Sequence, residues 1–286
     1  MPKIKIVTES TADIPVALRE ELGITVLPIP LIAGDKEYRD GYDIEPLEFY
    51  KIINESTTLP THSQITPMAF RELYKQCWKE GYTDLIYISI NGKGSATFQN
   101  ANQAKVMLEE DHPEMASMRI HIVDSKTYTM GYGWAGVEAA RMAAKGSSAE
   151  EILDMIQDWL DHVRVIFCPL DLRCAKKSGR ISAAAAFLGD ALGLKPIMTF
   201  EDGDSVILAK VRGEKRAISG IMDLVKKERR PGTPFVLIRG ENAEAFDALA
   251  DAVHAQLEQK EEFTYQVGCV IAVNSGPNLI GIVYRT

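Results

Sequence analysis

Residues 84–99 read Asp-Leu-Ile-Tyr-Ile-Ser-Ile-Asn-Gly-Lys-Gly-Ser-Ala-Thr-Phe-Gln, and the fold class follows from this stretch. It opens with a short apolar run, 85–90, of the residue types that suit a buried strand. Residues 91–94 then break the run with side chains that tolerate a tight or positive-φ backbone. Ser95 follows as an N-cap residue, because apolar side chains recur after it at helical spacing. The stretch therefore predicts a strand, a glycine-rich turn and a helix.

Such a turn has two interpretations. A hydroxyl-lined helix start after a glycine-rich turn predicts an anion pocket, because free N–H groups and the positive end of the helix dipole point into it. The same residues also suit an ordinary strand-to-helix connection with a capping serine, since turns of this kind occur throughout α/β proteins. Residues 84–99 alone leave both interpretations open.

The composition is that of an ordinary globular chain. The 286 residues are 46% hydrophobic and 25% charged, which allows one large or two ordinary domains. The formal net charge of -8 argues against unspecific binding to nucleic acid, because phosphate contacts need a basic face. The 4 cysteines are scattered without a C-x-x-C pair, so reduced thiols and a cytoplasmic location are expected.

The longest run without a charged residue, 263–284, is long enough to span a membrane. Turn residues at 274–278 interrupt it, so two strands around a turn are predicted there instead. Met1-Pro2-Lys3 leads directly into an apolar strand, so no signal peptide is expected. The chain also lacks H-E-x-x-H and paired Cys/His spacings, so no metal is expected.

Strands and helices alternate through the first half of the chain. This alternation predicts a mostly parallel sheet with helices on both faces. Two further hydroxyl-rich turns, 8–13 and 124–127, follow apolar strands, and 61–66 is a hydroxyl-rich loop. Open α/β sheets collect ligands at the carboxyl ends of their strands, which is where such turns lie.

The second half mixes hairpins with crossovers, which favours an α+β fold. Residues 197–200 and 206–209 predict two strands joined around Asp202-Gly203-Asp204. A further strand is predicted at 267–273. We place the domain boundary at 160–165, with an α/β domain over 1–163 and an α+β domain over 164–286. The loop at 45–75 could pack on either domain.

Seven short motifs recur in the order typical of one family. They are Val-Thr-Glu-Ser-Thr-Ala-Asp at 7–13, His-Ser-Gln at 62–64, Ser-Ala-Thr-Phe-Gln at 95–99, Asp-Ser-Lys at 124–126, Lys-Lys-Ser-Gly-Arg-Ile-Ser at 176–182, Lys-Val-Arg-Gly at 210–213 and Asn-Ser-Gly-Pro at 274–277. Through them the chain resembles, nearly end to end, the DegV family of bacterial fatty-acid-binding proteins. Each motif alone is weak, but their shared order makes the resemblance specific.

The resemblance implies a two-domain carrier with an apolar tunnel between its domains. A long-chain fatty acid would lie in the tunnel, and some members of the family present it to a fatty-acid kinase. The resemblance implies no catalytic residue and no cofactor, and it leaves transient membrane-surface contact open. Carried onto this chain, the carboxylate-binding positions are Ser95, His62, Ser63, Asn274, Thr61 and Thr97.

Two of these positions depart from the family pattern. His62 stands where threonine is expected, and Asn274 stands where histidine is expected. We hypothesise that the imidazole has changed sides, since both histidine and asparagine donate hydrogen bonds to a carboxylate. The alternative leaves His62 pointing to solvent and Asn274 as a turn residue.

The acyl tail is expected to supply most of the affinity. About fifteen methylenes at ~0.8 kcal/mol each amount to on the order of 12 kcal/mol. Each hydroxyl bond to the carboxylate gives ~1.5–3 kcal/mol before desolvation. The candidate tunnel walls, each of which also suits plain core, are Ile88, Ile90, Phe98, Met130, Phe167, Phe187, Leu188, Leu192 and Met198.

A hydrolase or a phosphate-binding protein is the alternative function. Ser95, Lys93 and His62 are residue types of a nucleophile–base pair. However, no G-x-S-x-G elbow surrounds Ser95, and no P-loop is present. A binding site that presents a carboxylate is therefore favoured over one that cleaves a bond.

A cluster of basic side chains also has two interpretations. It consists of Arg180, Arg212, Lys215 and Arg216. The cluster either docks an acidic kinase partner, as the resemblance suggests, or forms a solvated helix face.

Overall fold

The computed structural model describes residues 3–179 and 193–286. It contains two compact units, one of Met1–Leu31 with His62–Asp161 and one of Ile32–Thr61 with His162–Thr286. The predicted boundary at 160–165 between separately folding domains stays a prediction, because compactness does not test separate folding.

Strands and helices make up most of the described chain. In chain order, the strands are β1 (Ile4–Glu9), β2 (Thr25–Leu27), β3 (Pro30–Ala33), β4 (Lys36–Arg39), β5 (Thr61–His62), β6 (Asp84–Ser89), β7 (Arg119–Asp124), β8 (Val163–Pro169), β9 (Leu194–Glu201), β10 (Asp204–Arg212), β11 (Phe235–Arg239), β12 (Thr264–Gln266) and β13 (Leu279–Arg285). The α-helices are α1 (Val16–Glu21), α2 (Pro46–Glu55), α3 (Pro67–Lys79), α4 (Thr97–Asp111), α5 (Met130–Ala144), α6 (Ala149–His162), α7 (Arg173–Ser178), α8 (Glu214–Glu228), α9 (Ala243–Gln256) and α10 (Cys269–Ser275). Short 3₁₀ helices cover Ser10–Ala12 and Pro113–Ser117.

The first unit is built on a parallel sheet in the order β2-β1-β6-β7. Every residue of β6 is buried, as the continuous apolar run in its sequence requires. The predicted parallel sheet is therefore confirmed.

Helix α3 shows how local sequence specifies one of the helices of this unit. Pro67 occupies its first turn, where a missing N–H costs nothing, and the Thr66 hydroxyl accepts the N–H of Ala69 at 3.3 Å. Phe70 and Tyr74 then recur on one face and are fully buried. A cap, a proline and an apolar stripe thus agree on where the helix starts and which side faces the core.

Helix α5 packs closely on the turn after β1. A Cβ atom at Gly133 would overlap the carbonyl oxygen of Ala12, so only glycine allows this approach. Trp134 of α5 also stacks on Trp159 of α6, with ring centroids 3.9 Å apart. The small residues at the start of α5 serve close packing.

The second unit is built on a mixed sheet in the order β10-β9-β8-β13-β11-β12. Its neighbouring strands are antiparallel except for β11 and β12, which are parallel. The predicted hairpin is confirmed, because β9 and β10 pair around Asp202 and Gly203, both with positive φ. Side chains of α8 and α9 pack in one core with the sheet, among them Ile221 and Leu249. This arrangement confirms the α+β prediction for the second half.

The predicted strand at 267–273 is wrong, because most of this run forms helix α10. Its buried residues, such as Cys269, Val270 and Val273, follow helical spacing. A short apolar run does not distinguish a strand from a buried helical turn, and tertiary packing overrides β propensity here. The chain then turns at Gly276, where φ is 87°, and enters β13.

No helix in residues 3–179 and 193–286 has both the length and the apolar character that a membrane crossing needs.

Candidate functional site

The strand order of the parallel sheet reverses between β1 and β6. From β1 the chain moves to β2 on one side, and it later returns to the other side of β1 as β6. Ligands of open α/β sheets bind at the carboxyl ends of the strands at such a switch point. The candidate site is therefore formed by the turn after β1, 10–13, and the turn after β6, 90–95.

Where β1 and β6 separate, side-chain hydrogen bonds replace the backbone hydrogen bonds between the two strands. The register between the two strands ends at Val7 and Tyr87. Beyond it, the Thr8 hydroxyl donates to the carbonyl of Ile88 at 2.9 Å. The carboxyl of Glu9 then accepts the N–H of Ile90 at 2.6 Å. The strands thus part at the switch point while remaining connected by two side chains.

Residues 91–95, here called the glycine turn, are held by the end of β7 and the turn after it. The N–H of Asn91 donates to the carbonyl of Thr127 at 3.1 Å, and the N–H of Gly92 donates to Asp124 Oδ1 at 2.9 Å. Asn91 Nδ2 also donates to the Tyr128 hydroxyl at 2.7 Å. Two of the predicted hydroxyl-rich turns are therefore in direct contact.

Both glycines of this turn lie close to side chains from the end of β7 and from the turn after it. A Cβ atom at Gly92 would lie 2.7 Å from Asp124 Oδ2. A Cβ atom at Gly94 would overlap the hydroxyl of Tyr128. A larger residue at either position would therefore have to displace the end of one of these side chains.

Ser95 and Thr97 are brought together at the start of α4. Their hydroxyl oxygens lie 2.9 Å apart and are hydrogen-bonded, and Ser95 Oγ also accepts the N–H of Thr97 at 3.3 Å. The prediction that Ser95 is the N-cap is wrong, because Ala96 occupies the cap position. The N–H of Ser95 instead closes the glycine turn on the carbonyl of Asn91 at 3.1 Å, which moves the helix start onward. Ser95 nevertheless satisfies one of the open amides of the helix.

Thr61, His62 and Ser63 lie on and just after β5. Thr61 and Ser63 are exposed, whereas His62 is half-buried. The N–H of Ser63 donates to the carbonyl of Pro30 at 3.1 Å. Their proposed contacts with a carboxylate stay a prediction.

Asn274 lies in α10 of the second unit, not in a turn as the alternative interpretation had it. Its Nδ2 donates to the carbonyl of Val270 at 2.7 Å, and its own carbonyl accepts from Ser178 Oγ at 3.1 Å. The exchange of roles between His62 and Asn274 stays a prediction.

The candidate tail-binding residues fall into three groups. Those of the first unit are Ile88, Ile90 and Met130, which are buried, and Phe98, which is half-buried. Those of the second unit are Phe167 and Met198, which are buried and face each other across β8 and β9. Phe187, Leu188 and Leu192 lie outside the described residues. Their role in binding an acyl chain stays a prediction.

Three residues of the basic cluster are exposed at one place in the second unit. Arg212 ends β10, and Lys215 and Arg216 lie in the first turn of α8. Arg180 lies outside the described residues.

Glu9 is the residue of the site that the sequence did not reveal. It is fully buried, with 0% of its side chain exposed. Burial raises the pKa of Glu9 from 4.5 to about 7, although hydrogen bonds from Tyr87, Tyr132 and the Ile90 N–H partly oppose the rise. The available signal was an acidic residue at the end of an apolar strand, directly before a hydroxyl-rich turn.

The described residues do not form a metal site or a nucleophile–base pair at Ser95. Within 3–179 and 193–286, no three His, Cys, Asp or Glu side chains cluster as metal ligands. In the same part of the chain, the Ser95 hydroxyl bonds Thr97 and not His62. The site therefore presents hydroxyl and amide groups at a helix start, which suits binding of an anion.

The fold and this site define a class: two-unit α/β proteins with a hydroxyl-lined turn at the switch point of a parallel sheet. A family model described as "Uncharacterised protein, DegV family" matches residues 3–286, and the chain belongs to this family. The resemblance found in the sequence motifs is thereby confirmed.

Relatives match over the full length. The chain is 34% identical over 291 residues to a DegV domain-containing protein of Caldanaerobacter subterraneus subsp. tengcongensis, covering 100% of this chain and 99% of the relative. It is similar in structure to a DegV family protein from Thermus thermophilus described by its fatty-acid binding, with TM-score 0.88 and 29% identity over 99% and 100% of the two chains. DegV of Bacillus subtilis, described as a fatty acid binding protein, has TM-score 0.84 and 27% identity over 100% and 99%.

Proposed function

We propose that this protein binds a long-chain fatty acid and holds its carboxylate at the start of α4. The observation that carries the proposal is the bonded hydroxyl pair of Ser95 and Thr97 at the switch point of the parallel sheet. Hydroxyls and a helix N-terminus both favour an anion. The fatty-acid binding described for the Thermus thermophilus and Bacillus subtilis relatives supports the same ligand class.

The proposed ligand set extends to groups beyond this pair. It comprises His62, Ser63, Thr61 and Asn274 around the carboxylate, with the apolar candidates named above around the tail. Burial of about fifteen methylenes contributes on the order of 12 kcal/mol, so the tail supplies most of the binding free energy. The head group then fixes where along the site the fatty acid lies. This division explains how the family's threonine and histidine could be replaced here without loss of binding.

A carrier fits the hydroxyl pair better than a hydrolase does. A serine nucleophile needs a general base within hydrogen-bond reach. In the described part of the chain, the partner of the Ser95 hydroxyl is another hydroxyl, that of Thr97, which is not a base at neutral pH. We therefore propose a carrier and not a hydrolase. That the carrier needs no cofactor of its own stays a prediction.

The test of the proposal is mass spectrometry of lipid extracted from the purified protein. We expect one fatty acid in near-stoichiometric amount. In titrations with palmitate, the double variant Ser95→Ala/Thr97→Val should bind about 10-fold more weakly, because the carboxylate loses two donors. Thr58→Ala, at an exposed threonine, is the matched control and should bind like the wild type. Absence of extracted lipid together with esterase turnover would reverse the proposal.

We further propose that the basic cluster docks the kinase that phosphorylates the bound fatty acid. Arg212, Lys215 and Arg216 are all exposed and lie close together in the chain, where β10 leads into α8, which suits an acidic partner. Reversing the charge in Arg212→Glu should slow phosphorylation of the bound fatty acid by a fatty-acid kinase, and the effect should shrink with added salt. Lys260→Glu, at an exposed lysine elsewhere, is the control. Equal rates for the two variants would exclude this docking surface.

A further inference from the structure

The carboxyl of Glu9 connects three elements of the first unit. Its Oε1 accepts the N–H of Ile90 at 2.6 Å and the hydroxyl of Tyr132 in α5 at 2.8 Å. Its Oε2 accepts the hydroxyl of Tyr87 in β6. The Thr11 hydroxyl, just beyond β1, lies 3.4 Å from Oε1 and 2.8 Å from the Tyr132 hydroxyl. A single buried side chain thus bonds β6, α5 and the turn after β1.

The bond to Ile90 lies at the entrance to the glycine turn. Ile90 follows β6 and directly precedes Asn91, whose carbonyl accepts the N–H groups of Gly94 and Ser95, both at 3.1 Å. The turn is held at one side by Asp124, the last residue of β7, which accepts the N–H of Gly92. At the end of β6, the hydrogen bond from the Ile90 N–H to Glu9 fixes the other side of the turn. The position of Ser95 therefore depends on anchors at both sides of the turn.

We infer that Glu9 is a positioning residue for the ligand: its buried carboxyl fixes the start of the glycine turn and thereby the place of the Ser95 and Thr97 hydroxyls. The inference rests on the proposed fatty-acid binding. Loss of the carboxyl leaves the buried N–H of Ile90 without its acceptor, whereas both tyrosine hydroxyls keep another hydroxyl partner. We expect the start of the turn to shift so that this amide gains another acceptor. Glu9 acts through the turn and needs no contact with the fatty acid.

Two substitutions separate positioning from simple packing. Glu9→Gln keeps a carbonyl oxygen that can accept the Ile90 N–H, whereas Glu9→Met fills similar space without an acceptor. The matched control is Asp84→Asn, at a buried carboxyl of the opposite end of β6, which bonds Arg119 at 2.7 Å and His121 at 3.1 Å. This control weakens the same sheet without touching the glycine turn.

The experiment measures palmitate affinity by calorimetry and amide hydrogen exchange of residues 90–95 in the unliganded protein. We expect Glu9→Met to weaken binding about 10-fold and to speed exchange in this segment, because an unsatisfied buried amide favours opening. Glu9→Gln should remain within about 3-fold of the wild type. Asp84→Asn should lower the melting temperature and leave both readings unchanged.

A wild-type affinity and exchange rate in Glu9→Met would overturn the inference, as would an equal loss of affinity in Asp84→Asn. If Glu9→Met does not fold, Tyr132→Phe removes one bond to the carboxyl and should still weaken palmitate binding. Its matched control, Tyr284→Phe, removes a buried hydroxyl bonded to Glu228 at 3.0 Å in the second unit and should not. Failure of the wild type to bind palmitate would contradict the proposed function, whereas the exchange measurement would still test the hold of Glu9 on the turn.

Discussion

Glu9 is a buried ionisable side chain at the switch point of the parallel sheet, and its protonation state differs between the folded and the unfolded chain. Its burial favours the neutral carboxyl, whereas the four hydrogen-bond donors around it favour the carboxylate. Burial has the larger effect, so the pKa of Glu9 in the folded protein is raised to about 7. The folded state therefore binds a proton more tightly at Glu9 than the unfolded chain does.

This raised pKa predicts a loss of stability with rising pH. Stability from Glu9 is fully present below pH 4.5 and decreases until about pH 7, since the folded state holds the proton longer than the unfolded state. The change amounts to about 3 kcal/mol over this window. In urea unfolding, the free energy of wild type minus that of Glu9→Gln should be larger at pH 5 than at pH 8. The same difference at both pH values would contradict a raised pKa.

The conformation of the glycine turn depends on residues that are distant in the sequence. Its glycine content indicates a tight turn, but the side chains that limit the space at these glycines are those of Asp124, the last residue of β7, and Tyr128, which lies after β7. No local pattern reports that these side chains occupy the space a Cβ atom would take. The turn and its anchors are therefore one structural element assembled from two parts of the chain.

Gly94→Ala should destabilise the protein by about 1–3 kcal/mol, because the new methyl group overlaps the Tyr128 hydroxyl. Urea unfolding measures the loss. The double variant Gly94→Ala/Tyr128→Phe removes the overlapping oxygen and should recover part of the stability.

Gly136→Ala in α5 is the matched control for this prediction. A Cβ atom there would lie 3.6 Å from Ile14 Cδ1, an ordinary contact, and alanine favours a helix. It should leave stability unchanged or raise it. An equal loss in Gly136→Ala and Gly94→Ala would mean that the glycine turn has no special need for space.

At the scale of the whole molecule, residues 32–61 belong to the second unit although they interrupt the first in the sequence. Helix α2 lies in this segment, and its Tyr50 hydroxyl donates to the carbonyl of Val267. Asn54 Nδ2, also of α2, donates to Glu241 at 2.7 Å. These bonds connect α2 to parts of the chain more than 180 residues away.

Substitution of two buried phenylalanines tests whether residues 32–61 belong to the second unit. Phe49→Ala in α2 and Phe70→Ala in α3 should each cost about 3–5 kcal/mol, because both side chains are fully buried. Hydrogen exchange should rise mainly in α10 for Phe49→Ala, since α2 packs on α10. It should rise mainly in β6 for Phe70→Ala, since Phe70 packs on Tyr87 at 4.9 Å between ring centroids. Equal increases in both regions for both variants would mean that the two units open together.

The sequence by itself determined the fold class and the family. Apolar runs ending in hydroxyl-rich turns predicted the parallel sheet, because side-chain periodicity and turn chemistry are local properties. That a ligand binds at the edge of this sheet stays a prediction. The hairpin at 202–204 and the α+β second half followed in the same way. Motif order along the chain was sufficient for the DegV family.

Only the tertiary structure decided how these parts come together. The helix at 269–275, the contact between the glycine turn and Asp124, and the bonds of Glu9 each join residues far apart in sequence or depend on such contacts. Burial and hydrogen-bond partners of this kind depend on the path of the chain, which local residue patterns do not encode. Ser95 was recognisable as a ligand candidate from its neighbours in sequence, whereas the buried carboxyl that positions it required the folded chain.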